Sequence, residues 1–259
     1  MKISKIILYN EPSVPEINIK RAKKFLLETF EVEIQIRENI FKKLDKKTYE
    51  KIASTKIFNL KKPFQKHTPS IEGILIESEN RDMSNKEEMT LYDGIELNKI
   101  MREVIPVAEN TLNTLHIIFT NKLTCTFDEN DFRYHARVWV GSNPIIISTT
   151  GIIEAPAKPK QYYMDLITNF SKESIEEVKK KYKGKFLEYK DIRLPEIIEG
   201  YLLQTIFYYE TGDAFCDNNQ CRLFNAHWQK DLFNTQIENK KMCKKHENIL
   251  TKMKNNIIQ

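Results

Sequence analysis

Three of the four cysteines fall in one C-terminal constellation, Cys216-x4-Cys221 followed after 21 residues by Cys243-x2-His246. Two short hooks of two ligands each, joined by a longer loop, can close a tetrahedral shell around a metal ion with little backbone strain, and sulfur and nitrogen ligands suit zinc. The spacing therefore predicts a structural Cys3His site with Cys216, Cys221, Cys243 and His246 as ligands. The bland alternative is a set of scattered thiols and a solvated, lysine-flanked histidine, since cysteine often behaves as a small buried hydrophobe. Two disulfides would need Cys125, about ninety residues upstream, and would leave His246 without a role.

With 259 residues, 30% charged and 41% hydrophobic, and with 14 Phe and 11 Tyr, the chain can bury a core and is expected to fold as a single domain over 1–259. Within it we read a sheet-containing part over 1–153 and a long helix plus zinc-binding part over 195–250. The apolar opening run ends at Asn10-Glu11-Pro12, and no stretch approaches the length of a membrane span, so no membrane association and a cytoplasmic location are expected. The net charge of +5 is spread through lysine runs such as Lys179–Lys181 and Lys240-Lys241, more diffuse than a nucleic-acid footprint.

Residues 3–9 read as a first strand, Asn18 to Phe30 as a helix with Ala22, Phe25, Leu26 and Phe30 on one side, and Val32 to Ile36 as a second, alternating strand. This is a β-α-β opening and implies a parallel pair. Lys47 to Ile57 returns to a helical pattern. From Asn59 to Asp93 the composition is that of a connector holding one strand-like piece, Gly73–Ile76. Ile95 to Val107 reads as helix; Leu115–Phe119 as a central strand; Tyr134–Val140 and Pro144–Ser148 complete the sheet across a hinge at Gly141–Asn143. Beyond the elbow Glu154–Pro159 come two short helices, Gln161–Phe170 and Ser171–Tyr182, then a largely buried helix from Pro195 to about Glu210, stopped by Gly212. A last helix opens at His227 and runs to about Lys241, with Trp228 and Phe233 read as packing for the metal loop in preference to a base-stacking platform.

The segment Gly212-Asp213-Ala214-Phe215-Cys216-Asp217-Asn218-Asn219-Gln220-Cys221-Arg222-Leu223, with Cys243-Lys244-Lys245-His246 behind it, resembles the zinc region of the archaemetzincins, which are metzincin-type metallopeptidases. Their pattern, H-E-x-x-H-x-x-G-x-x-H-C-x4-C-x-M closed by C-x2-C, binds a catalytic zinc with its first half and a structural zinc with its cysteines. The resemblance implies that Cys216, Cys221 and Cys243 are structural-zinc cysteines, that His246 takes the fourth place, and that Gly212 turns the chain out of the active-site helix. It also places Thr205, Tyr209 and Phe215 where the family has its catalytic histidines, Ile206 where it has the general-base glutamate, and Leu223 at the Met-turn methionine. A catalytic zinc needs imidazoles, an open position for water and a base, which these side chains do not supply. The motif match covers about a tenth of the chain; elsewhere the resemblance is one of element order.

Further carboxylate, histidine and cysteine positions are candidates for chemistry. Glu210 and Asp213 lie three apart where carboxylates oppose the helix dipole, and with His227 they are candidates for a relocated metal or acid/base site. The alternative is solvated or ion-paired carboxylates. His135 between Arg133 and Arg137 reads as a carboxylate-binding edge or as an ordinary strand histidine, His116 as a buried, hydrogen-bonded core residue, His67 as a loop residue without signal and Cys125 as structural.

The expected architecture is α/β (α+β): a metzincin-like twisted mixed sheet, a long buried helix, and a C-terminal zinc-stapled subdomain. The expected function is a metallopeptidase-fold protein with one structural Zn²⁺, without the standard catalytic zinc, that binds a peptide or protein. The alternatives are an active metallopeptidase with relocated ligands at Glu210, Asp213 and His227, and a zinc module that binds nucleic acid, for which Arg222, Lys230, Lys240, Lys241, Lys244 and Lys245 supply only the basic part of the aromatic and basic face such a module needs.

Overall fold

The computed structural model describes residues 1–65, 67–79 and 89–255. The chain divides into two compact units, Met1–Ile152 and Ile153–Gln259.

In the first unit, β1 (Lys5–Tyr9), β2 (Glu33–Arg37), β4 (Thr114–Thr120), β7 (Trp139–Val140) and β8 (Ile145–Ser148) form one sheet in the order β2-β1-β4-β8-β7. All neighbours run parallel except β7 against β8. Burial explains that order. The apolar runs of β1, β4 and β8 are buried almost throughout, as central parallel strands covered on both faces must be, whereas β2 keeps an exposed or half-buried side and takes an edge. The opening β-α-β unit is confirmed, with α1 (Ile19–Phe30) between the parallel pair and Asn18 accepting the Arg21 N–H as its cap.

A second sheet, β3 (Leu91–Asp93), β5 (Leu123–Asp128) and β6 (Arg133–Ala136), pairs β3 with β5 parallel and β5 with β6 antiparallel. Three elements of this unit differ from the sequence expectation. Tyr134–Val140 is not one strand: the chain leaves β6 after Ala136 and re-enters the other sheet at Trp139, so its two ends serve different sheets. β5, which carries the buried Cys125, has no counterpart in that reading. Gly73–Ile76 is not a strand either but part of helix α3 (Ile71–Glu79); its unbroken apolar run is too short for periodicity to tell strand from helix. Residues 66 and 80–88 of the expected connector lie outside the described residues. Helices α2 (Lys46–Ser54) and α4 (Gly94–Val104) stand where helical spacing placed them, capped by Asp45 and Asp93.

Helix α5 (Thr149–Glu154) carries the chain into the second unit, which is helical. α6 (Lys160–Thr168) and α7 (Lys172–Tyr182) are divided at Ser171, whose hydroxyl accepts the Ser174 N–H. They close on Tyr162, Val178, Tyr182 and Phe186. α8 (Leu194–Thr211) buries 14 of its 18 residues, too many for an amphipathic surface helix, and Gly212 ends it in the left-handed conformation at φ 79°. The end of the chain also differs from the single helix expected over 227–241. α9 (Gln229–Phe233) passes into a π-helical segment, Asn234–Asn239, and a further helix, α10 (Lys244–Lys254), starts within the second metal-ligand hook and carries His246 in its first turn. Among the described residues no helix is long and apolar enough to cross a membrane.

Candidate metal centre

The first hook is a loop whose two ends meet. Cys216 donates its N–H to the Leu223 carbonyl at 3.0 Å and pairs with Phe224, while the Cys221 N–H returns to the Asn218 carbonyl at 2.9 Å. Cys243 is the N-cap of α10, and its carbonyl accepts the His246 and Glu247 N–H groups at 2.9 and 3.0 Å, which points the first turn of α10 back at the loop. The Arg222 N–H to Lys241 carbonyl bond, 2.7 Å, ties the two hooks side by side.

The four candidate ligand atoms thereby converge, all within 4.8 Å of one another. Cys216 Sγ lies 3.9 Å from Cys243 Sγ, and Nδ1 of His246 lies 3.7 Å from Cys221 Sγ and 3.1 Å from Cys243 Sγ. Ligands of a tetrahedral zinc should stand about 3.8 Å apart for two sulfurs and about 3.6 Å for sulfur and nitrogen, from the usual bond lengths. The set fits such an ion. The Cys243 N–H to Cys221 Sγ contact, 3.3 Å, and the Asn218 N–H to Cys216 Sγ contact, 3.4 Å, aim donors at sulfurs that would carry thiolate charge.

The environment sorts the thiols. Burial pushes the Cys221 thiol up to about 12. Burial also works to raise Cys243, but the backbone N–H of His246 and the neighbouring Cys221 and Cys216 thiols outweigh it and hold this thiol below its ordinary value. Burial lowers the His246 imidazole, which favours the neutral form that a metal requires. The His246 ring is buried edge-on against Phe207 of α8, centroids 5.7 Å apart. The knuckle is also joined to α8 through Arg222, which donates to the Glu196 carbonyl and the Glu199 carboxylate at 3.0 Å each, and Gln236 donates to the Arg222 carbonyl at 2.8 Å.

The other candidate residues do not converge. Glu210 is buried on α8, Asp213 lies beyond the helix end with Oδ1 accepting the Phe215 N–H at 3.2 Å, and the His227 side chain is exposed. None of the three belongs to a metal-competent group among the described residues. Along α8, Thr205 is fully buried and donates its hydroxyl to the Leu202 carbonyl at 2.9 Å, and Ile206 is fully buried; beyond its end, Phe215 is partly exposed. Phe233 lies under the Arg193 guanidinium, and Trp228 is 44% exposed. Arg222 and Lys240, two of the basic residues considered for nucleic acid, are engaged with Glu199 and Glu196.

His116 is the buried core histidine the sequence suggested. Its Nε2 faces the Glu109 carbonyl and its Nδ1 the Tyr9 hydroxyl, both at 3.1 Å. The expected carboxylate-binding edge at His135 is spent inside the chain: Asp131 accepts from His135 Nε2 at 2.8 Å and from Arg133 Nε at 2.6 Å, while Arg137 donates to Thr126. Asp128, Asp131 and His135 make a second group within metal-ligand range, on the hairpin between β5 and β6. The Asp128-x2-Asp131-x3-His135 spacing was its only sequence signal.

These features define a mixed α/β protein with a Cys3His cluster near its C-terminus. The chain belongs to the family described as "Probable metallopeptidase family (DUF6775)", matched over residues 2–253. No curated protein matches it. A solved zinc-dependent peptidase from Methanocorpusculum labreanum (strain Z) is similar over 95% of this chain and 99% of that one, at 11% identity and a TM-score of 0.45. So loose a likeness carries no argument about individual residues.

Proposed function

We propose that this chain is an archaemetzincin-like member of its family, held together by one Cys3His zinc, that binds a peptide or protein instead of cutting it with a helix-borne catalytic zinc. Zinc held by Cys216, Cys221, Cys243 and His246 would act as a crosslink between the end of α8 and the start of α10. Four protein ligands leave no position for water, so this site does not generate a nucleophile. The observation that carries the reading is the contrast between that convergent set and the side chains of α8. Thr205, Ile206 and Tyr209 offer no imidazole and no general base.

The five histidines support the same view. His246 belongs to the cluster, His116 to the core, and His135 to Asp131, while His67 lies in a loop and His227 is solvent-facing. The family's description favours peptidase ancestry, and peptide binding is carried over from it by analogy.

The test is elemental analysis of protein purified without added metal, together with a peptidase assay on mixed peptides with and without chelator. One zinc per chain and no chelator-sensitive hydrolysis is the expected result. Two zincs with chelator-sensitive turnover would overturn the reading, and Ala replacements at Glu210, Asp213 and His227 would then show whether relocated ligands are responsible.

A further inference from the structure

The first unit contains a cavity of ≈ 580 Å³, within the usual range for small-ligand sites, with Phe58, Phe64, Tyr134, Ile57 and Ile100 among its apolar walls. Its polar groups are unevenly committed. Lys51 pairs with Glu103 at 2.5 Å and Lys99 with Glu96 at 2.7 Å, so these two lining carboxylates are already answered. Asp93 spends Oδ1 on the N–H groups of Ile95 and Glu96 at the start of α4. Lys56 on the wall shares the single Glu77 carboxylate with Lys122, at 2.8 and 2.6 Å, which sets two ammonium groups against one carboxylate. Lys62 has no carboxylate partner among the described residues, and His67 Nδ1 is buried with no hydrogen-bond partner among them. The His67 ring stands edge-on to Phe58, centroids 4.6 Å apart. A cavity with aromatic walls, a surplus ammonium behind it, a lysine without a counter-charge at its rim and an unanswered imidazole nitrogen is complementary to an anion on an apolar body.

We propose that this cavity binds a carboxylate carried on an apolar body, with Phe58, Phe64 and Tyr134 enclosing the body and Lys62 and His67 receiving the carboxylate. The C-terminal residue of a peptide and a free hydrophobic monocarboxylic acid share this chemistry. The site lies wholly in the first unit, and its success or failure is independent of the Cys3His reading.

The experiment is calorimetric titration of the full chain with N-acetyl-phenylalanine, 3-phenylpropionate and N-acetyl-Ala-Ala-Phe, each beside its C-terminal amide. The carboxylates should bind about ten-fold or more tightly than the matched amides, the loss expected when a charge-assisted hydrogen bond is removed. Tighter binding of the tripeptide than of 3-phenylpropionate would identify a peptide C-terminus as the source, and the reverse order a free acid. Lys62→Ala and His67→Ala should each weaken carboxylate binding several-fold without changing zinc content or melting temperature. Amides that bind as tightly as acids, variants that bind like wild type, or no binding by any of the acids at millimolar concentration would each overturn the proposal.

Discussion

A Cβ on Gly200 would stand 1.7 Å from Oε1 of Gln236. The missing side chain in the middle of α8 is thus the space into which the π-helical segment after α9 inserts its amide. From there Gln236 accepts from Arg222 Nε at 3.3 Å and donates to the Arg222 carbonyl. The glycine couples the buried helix to the residue that follows the first cysteine hook.

Gly200→Ala should therefore destabilise the protein, although alanine is worth about 1 kcal/mol more than glycine inside a helix. Displacing Gln236 costs on the order of 1–3 kcal/mol of overpacking and breaks its bonds to Arg222. The expected net loss, about 1–2 kcal/mol by these magnitudes, is readable as a lower urea midpoint at unchanged slope. A variant as stable as wild type would mean that Gln236 does not occupy this space.

Cys221→Ser should abolish stoichiometric zinc and lower the melting temperature of the whole second unit, because metal binding at such a site is folding free energy. Chelator treatment of wild type should reproduce the shift. A mutant that melts like wild type with equal zinc content would remove Cys221 from the ligand set.

Glu77→Gln should cost about 3–5 kcal/mol, the usual penalty for removing one partner of a buried pair. Burial alone would raise the Glu77 carboxyl, but the ammonium groups of Lys122 and Lys56 outweigh burial and hold it below the ordinary carboxylate range. The variant leaves both lysines buried without a counter-charge. Chemical denaturation of Glu77→Gln alone and of the triple variant that adds Lys56→Met and Lys122→Met to it should show part of the loss recovered when the two charges are gone.

His116 makes the stability of the first unit pH-dependent. A carbonyl can only accept, so Nε2 carries the proton toward Glu109 and Nδ1 accepts from Tyr9; the neutral ring satisfies both contacts. Burial lowers its pKa from the ordinary 6.5. A depressed folded pKa means that the unfolded chain takes up the proton first, so this contribution is complete above pH 6.5 and is lost as pH falls through the folded value. Denaturation of zinc-replete protein across that range should show a falling stability whose slope is smaller in His116→Gln. An identical slope in the variant would exclude His116 as the source.

The sequence by itself determined the features whose cause is local. Cysteine and histidine spacing named the four residues that converge, the β-α-β opening marked β1 and β2 as a parallel pair, the apolar run of β4 marked a central strand, and the periodicity of α8 with Gly212 behind it marked a buried helix and its end. Resemblance to the archaemetzincins added the positions on α8 where imidazoles are absent. Only tertiary structure decided which sheet each half of 133–140 joins, because strand pairing depends on partners far away in sequence. The same holds for α3, whose apolar run suits strand or helix equally until Glu77 meets Lys56 and Lys122. It holds again for the uneven commitment of charges around the first-unit cavity and for the failure of His227 to form a metal-competent group with Glu210 and Asp213, since spacing along a chain fixes separation in space only within a single hook or helical turn.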